Sequence, residues 1–262
     1  MEIAPSATKA ATATCGIAVM AKASCPGRTK TRLVPPLTGE EAALCNTAFL
    51  RDVADNILAA AAHASIAGYM AFGPADARPF FQQNLPAQLG LIEAWHADFG
   101  ECLAVAIAQL LERGHANAVV LNSDSPTLPT SLLVETAEML ARPGERIVLG
   151  PADDGGYYLL GMKAMHRRLF EGISWSTEHV ARQTQERAAE LGLSIHILPK
   201  WYDVDDVAAL QVLRSELFEG CSFGAGLAPH AARHTRALIK TLLERPELNE
   251  RLACSEFRRA AE

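Results

Sequence analysis

The sequence predicts an α/β protein in which a mostly parallel sheet is flanked by helices, and three observations predict it. Short apolar runs of strand length alternate with longer segments that carry apolar residues at helical spacing. Several strand-like runs end in loops rich in charged groups, as expected where an open α/β sheet presents its ligand site beyond the carboxyl ends of its strands. From Glu219 onward the alternation stops, and a glycine-bearing linker leads into a segment with interspersed Arg and Glu. The expected organisation is a disordered lead over residues 1–14, one α/β domain over 15–218, and a helical C-terminal extension over 219–262.

Gly16 to Met20 reads as a buried strand, followed by a Gly/Pro/basic loop from Lys22 to Pro36. Glu40 to Ala62 carries Leu44, Ala48, Val53, Ile57 and Leu58 at helical spacing, with Thr38 as N-cap. Ser65 to Phe72 reads as the second strand, ended by Gly73-Pro74. Pro79 to Asp98 is less regular, and Trp95 and Phe99 are expected in the core. A helix over Gly100 to Arg113 leads through Gly114 into a strand over Ala118 to Leu121. A helix then follows Pro129 and Thr130 and runs to Ala141. Ile147 to Leu149 reads as a strand and Tyr157 to Leu160 as a strand or hairpin. A helix over Thr177 to Leu191, capped by Ser176 or Thr177, precedes a strand over Ser194 to Leu198. A helix from Asp206 to Phe218 closes the pattern.

Composition bounds the function. The chain has 262 residues, 49% hydrophobic and 21% charged, with a net charge of −6, an ordinary globular profile. That charge argues against non-specific nucleic-acid binding, which needs a basic surface to displace counterions. A nucleotide remains compatible, because a local basic loop and a metal can neutralise its phosphates. No stretch reaches the length of a membrane span. Cys15, Cys25, Cys45, Cys102, Cys221 and Cys254 are scattered with no CxxC pair, which suits reduced thiols and a cytoplasmic protein.

Three strand ends deliver carboxylates: Asn122-Ser123-Asp124-Ser125-Pro126, Asp153-Asp154-Gly155-Gly156-Tyr157 and Tyr202-Asp203-Val204-Asp205-Asp206. Clustered carboxylates repel unless a cation lies among them, and hard oxygen ligands select Mg²⁺ or Mn²⁺. Each run also has a plainer reading. Asp124 suits a turn that bonds its own backbone. Asp153 to Gly156 is good hairpin chemistry. Asp203 and Asp205, two apart, share a face if extended, while Asp205 or Asp206 could cap the next helix. Their combined placement favours a ligand site.

The loop after the first strand carries Lys22, Arg28, Lys30 and Arg32 within eleven residues of an otherwise acidic chain. Lys and Arg can meet phosphate oxygens there, and Gly27 admits close backbone approach. The competing reading is a solvated basic loop. The spacing is neither a P-loop nor a dinucleotide fingerprint. His230 and His234 stand at an i, i+4 step that could bind metal on a helix, although such pairs are usually solvated. Ser24, Ser123 and Ser176 lack a hydrolase nucleophile context. Trp175 suits packing or a pocket lining, and Cys25 is read as incidental.

With these segments in hand, the chain resembles the DUF2064 family of GT-A-fold transferases, also labelled radical-SAM/selenodomain-associated transferase 1. The matching pieces are Ala21-Lys22 with Pro26 to Leu33, Ser123 to Pro126, Gly150 to Tyr158, Phe170 to Thr177, and Trp201 to Asp205. They span about residues 16–215 in the family's order. One departure is Asn122-Ser123, where a Thr, or a Gly-Thr pair, precedes the family's aspartate. Ser keeps the hydroxyl.

The resemblance implies a nucleotide-diphospho-sugar-transferase-like domain related to 2-phospholactate guanylyltransferases, which carry a Lys-Thr/Ser-Arg-Leu segment corresponding to Lys30 to Leu33. The expected activity is metal-dependent nucleotidyl transfer from an NTP to a small phosphorylated or phosphonate acceptor, with release of pyrophosphate. Lys22, Gly27, Arg28, Lys30 and Arg32 are expected to bind the nucleotide's phosphates. Asp124, Asp203 and Asp205 would hold Mg²⁺ or Mn²⁺, and Lys30, Arg32 and Asp124 are the expected catalytic groups. Asp153, Asp154, Gly155, Gly156, Tyr157 and Trp175 would line the acceptor side. The rival is a glycosyltransferase using a nucleotide sugar, and a third reading is a non-catalytic nucleotide-binding protein. The C-terminal extension could pack on the domain, form a homodimer or move freely.

Overall fold

The computed structural model describes residues 14–245 and residue 251. The disordered lead expected over residues 1–14 therefore lies outside the described residues, apart from Thr14. In chain order the elements are β1 (Cys15–Ala21), α1 (Gly39–Ala61), β2 (Ile66–Phe72), α2 (Arg78–Asn84), β3 (Gly90–Glu93), α3 (Phe99–Glu112), β4 (Asn117–Leu121), α4 (Thr130–Ala141), β5 (Arg146–Pro151), β6 (Tyr157–Met162), α5 (Val180–Glu190), β7 (Ser194–Ile197), α6 (Val207–Phe218) and α7 (Arg233–Leu243).

The strands form one seven-stranded sheet in the order β3-β2-β1-β4-β6-β5-β7. All neighbours are parallel except β6, which runs antiparallel to both β4 and β5. The strands are apolar on both faces because helices cover both, as parallel sheets require. Ile17, Val19, Val119 and Leu121 pack with Phe49 and Ile57 of α1, Leu133 of α4 and Leu213 of α6. Ala18, Val120, Leu149 and Leu160 pack on the opposite face with Leu103 and Ile107 of α3 and Ala181 and Ala188 of α5.

Local signals set the helix starts. Thr38 and Glu41 form a reciprocal capping box at α1, each satisfying the other's backbone N–H. Asp206, not Asp205, caps α6 by accepting from Ala209 N. The expected Ser176 or Thr177 cap is corrected. The α5 helix begins at Val180 behind His179, and Thr177 Oγ1 accepts from His179 N just before it. The irregular stretch before α3 contains α2 and the edge strand β3.

The described part of the C-terminal segment packs on the domain. Buried Asp52 of α1 accepts from the backbone N–H of His234 at 2.9 Å and of Thr235 at 2.7 Å, satisfying two amides at the start of α7. Eleven residues earlier in α1, Glu41 takes two 3.0 Å bonds from Arg251 and an ion pair from Arg245. His230 lies before α7, separated from it by Ala232 at φ 42°, so His230 and His234 do not share a helix face.

Candidate active site

The site is assembled where β1, β4 and β6 end or begin at one edge of the sheet. α1 fixes the start of the basic loop, since Asn46 donates to Lys22 O and Ser24 Oγ, and Thr47 donates to Ser24 Oγ. Further along, Thr29 Oγ1 both accepts from Cys25 N and donates to Cys25 O, folding the loop back on itself.

The second acidic segment is stitched to the end of β4. Ser125 Oγ accepts from Asn122 Nδ2 and donates to Tyr202 O, while Val204 N donates to Asp124 O at 2.8 Å. Thr127 and Tyr202 share a hydroxyl contact of 2.9 Å, and buried Trp201 donates its backbone N–H to Pro151 O. These bonds carry Asp203 and Asp205 to Asp124 from about eighty residues away in sequence.

Lys30 closes the arrangement. Its Nζ donates to Val204 O at 2.8 Å and Asp205 Oδ1 at 2.9 Å, and lies 2.8 Å from Asp124 Oδ1. An ammonium has three donors, so these three acceptors saturate it. The side chain is 5% exposed. Burial works against its charge, but Asp124 and Asp205 outweigh burial and raise its pKa. Lys30 is thus a bridge between two strand ends rather than an open phosphate ligand. Arg32 is largely exposed, with its guanidinium 3.9 Å from Asp205.

A cavity of 570 Å³ lies over this edge, within the range of small-molecule sites. Lys22, Arg28, Lys30, Arg32, Asp124, Asp205 and Tyr157 line it. Lys22 and Arg28 form no ion pair among the described residues. Gly27, Asp153, Asp154, Gly155, Gly156, Trp175 and Asp203 are not part of this lining. Asp153 is half exposed and pairs with Lys200 at 3.5 Å. Gly155, at φ +89°, packs so tightly on Glu178 that a Cβ would lie 2.3 Å from that carbonyl oxygen. The Asp-Asp-Gly-Gly turn therefore fastens the loop before α5. Within the turn, Gly156 N donates to Asp154 Oδ1 at 2.8 Å. Gly27 sits at φ +73°, a conformation glycine adopts without strain.

Asp203 is the most perturbed carboxyl of the group. Burial, then the nearby Asp154, Asp205 and Asp124 carboxylates, push its pKa up to about 7. Lys30 and the more exposed Arg32 are the cations paired with the carboxylates of this corner. Asp124, Asp203 and Asp205 offer hard oxygen donors of the kind Mg²⁺ takes, so the residues fit such an ion chemically. They do not form a tight preformed cage, because Lys30 stands between Asp124 and Asp205. Among the described residues, the acid-and-histidine group whose ligand atoms all lie within 4.8 Å of one another is Asp52, Asp55 and His234, where Asp52 is already committed to the α7 amides.

The expectation that Trp95 and Phe99 are core residues is corrected. Trp95 is 62% exposed and Phe99 50% exposed. Phe99 occupies the first position of α3 and lines the cavity, with its ring edge-on to Trp175 at 5.4 Å. Its hydrophobicity in a helix gave no signal of exposure. Ser176, in the left-handed region at φ 63°, also lines the cavity.

The fold is that of the nucleotide-diphospho-sugar transferases. Residues 56–177 match the family described as "Uncharacterized protein conserved in bacteria (DUF2064)", the family that the sequence motifs resemble. A candidate nucleotide-diphospho-sugar transferase from Desulfovibrio desulfuricans G20 is 27% identical, with 87% of this chain and 98% of that one covered and a TM-score of 0.72. The CMP:2-keto-3-deoxy-manno-octonic acid synthetase complexed with CTP shares the fold at 11% identity, covering 80% of this chain and 100% of that one, with a TM-score of 0.51. A cytidylyltransferase from Leptospira borgpetersenii serovar Hardjo-bovis (strain JB197) shares it at 11% identity, covering 90% and 96%, with a TM-score of 0.50. No curated protein matches the chain. Among the described residues, no helix is long and apolar enough to cross a membrane.

Proposed function

We propose that this protein is a transferase acting on a nucleotide, and specifically a nucleotidyltransferase that moves an NMP from an NTP to a small phosphorylated or phosphonate acceptor. The observation that carries the reading is that Lys22, Arg28 and Arg32 line one cavity together with Asp124 and Asp205. Cations can neutralise a polyphosphate while carboxylates hold a divalent cation against it. The fold's likeness to the Desulfovibrio protein supports a nucleotide-linked substrate.

In this reading Lys22, Arg28 and Arg32 hold the β- and γ-phosphates, with Thr29 and Thr31 beside them at the cavity wall. Asp124 and Asp205, with Asp203 adjacent, would hold Mg²⁺ or Mn²⁺. Bound there, such an ion would neutralise phosphate charge and polarise the non-bridging oxygens on the phosphorus under attack. Lys30 keeps the two carboxylates at a fixed separation and contributes positive charge beside the transferred phosphoryl group. An acceptor oxygen forms the new bond to the α-phosphorus as the α–β bridging bond breaks, and pyrophosphate leaves with that electron pair toward Arg28 and Arg32. The protein supplies position and charge.

Sugar transfer from a nucleotide sugar is the second reading, favoured by the description of the Desulfovibrio relative. The pyrophosphate then stays on the nucleotide, and fewer cations are needed in the first loop. Incubation with NTPs or nucleotide sugars, Mg²⁺ and phosphorylated acceptors separates the two. Pyrophosphate is expected, and nucleoside diphosphate would instead establish sugar transfer.

A further inference from the structure

The cavity straddles the sheet, and its two sides differ chemically. The basic loop lies on the α1 side, where Leu33 and Phe49 join the core and Lys30 Nζ sits 5.4 Å from the Phe49 ring. Across the end of β4, on the α3 side, Phe99, Leu103 and Tyr157 face the same space. Tyr157 also packs near Trp175, at 6.5 Å between rings.

This aromatic side is held in place from behind. A Cβ on Gly100 would lie 2.9 Å from the Trp175 ring, so the indole rests directly on the first turn of α3. Asp98 caps that turn by accepting from Glu101 N. Gly155 clamps the loop at the Glu178 backbone, and Ala181 N donates to Gly155 O at 3.0 Å. Half-exposed Phe99 is therefore a fixed apolar surface in a cavity whose other side is charged, rather than a mobile surface side chain.

In-line displacement assigns that surface an occupant. An incoming oxygen must approach the α-phosphorus opposite the leaving pyrophosphate. With pyrophosphate on the basic loop, the acceptor enters from the α3 side. We propose that Phe99, backed by Trp175, is a specificity-determining residue for the acceptor, and that the acceptor carries a flat apolar ring face beside its phosphate. This rests on the nucleotidyl-transfer reading for the direction of approach. Aromatic rings gain from offset or edge-on packing beyond the area they bury, which gives the wall selectivity for rings over open chains.

The test is calorimetric binding of phenyl phosphate, methyl phosphate and a non-hydrolysable nucleoside triphosphate, with Mg²⁺, to the wild-type, Phe99→Ala and Phe99→Tyr proteins. Wild type and Phe99→Tyr are expected to bind phenyl phosphate about tenfold more tightly than methyl phosphate. Phe99→Ala is expected to lose that preference while its triphosphate affinity is unchanged. Equal binding of both monophosphates by wild type, or a preference surviving in Phe99→Ala, would overturn the proposal. A loss falling on the triphosphate alone would also overturn it, by giving the wall to the nucleobase. Binding needs no turnover, so an intact ring preference without pyrophosphate release sinks the nucleotidyl reading and not the wall.

Discussion

Lys30 and Asp205, 175 positions apart in sequence, are joined by a 2.9 Å bond that ties the basic loop to the last acidic segment. The same ammonium reaches Asp124, so one side chain sets the spacing of both carboxylates. Lys30→Met is expected to lower stability by about 1.5–3 kcal/mol, the range for hydrogen bonds to charged groups. Added Mg²⁺ should stabilise the variant more than the wild type, because the carboxylates lose their built-in counter-ion. Denaturant unfolding with and without Mg²⁺ measures both effects. Unchanged stability would show that the bridge is not structural.

Gly155→Ala is expected to cost about 1–3 kcal/mol, since it combines a left-handed backbone with a collision against Glu178. Hydrogen exchange should quicken across residues 172–179. Gly156→Ala is the control, because its nearest obstacle is the Asp154 side chain at 3.0 Å. Equal effects of the two substitutions would contradict the proposed clamp.

Asp52→Ala leaves the His234 and Thr235 amides without their acceptor and should destabilise the protein by about 1–3 kcal/mol. Exchange protection should fall first in α7. Burial raises the Asp52 pKa even though these amides oppose the shift. Protection of α7 unchanged in the variant would show that apolar contacts such as Ile239 and Leu242 hold the helix without the cap.

The tail makes a pH-dependent contribution through Glu41. Burial disfavours its charge, but bonds from Arg251 and the Thr38 backbone prevail and hold its pKa below the usual 4.5. A depressed carboxylate stabilises the fold above its unfolded pKa and loses that contribution as pH falls through its folded value. Wild type should therefore lose more stability than Arg251→Ala when pH drops below 4.5. Parallel pH–stability curves for the two proteins would refute the coupling.

Much of the fold was legible because its signals are local. Thr38 with Glu41, Asp206 before α6 and the apolar spacing of α1 each declare an element within one turn of chain. The edge strand β3 was not legible, since it has four residues and Ile92 is the one fully buried among them. The site's residue types were readable, but their partnerships were not. Nothing near Lys30 announces Val204, and nothing near Gly155 announces the Glu178 backbone. Phe99 looked like core because hydrophobicity at a helix start does not say which way the helix faces.

In the proposed nucleotidyl transfer, Asp205 and Lys30 act together at one metal-assisted site. The most direct measurement is Mg²⁺-dependent pyrophosphate release from NTPs with phosphorylated acceptors, compared between wild type and Asp205→Ala. Release by wild type is expected, with a loss of at least about a hundredfold in the variant, comparable to removing one electrostatic transition-state stabiliser. Full Mg²⁺-dependent release by Asp205→Ala would contradict it.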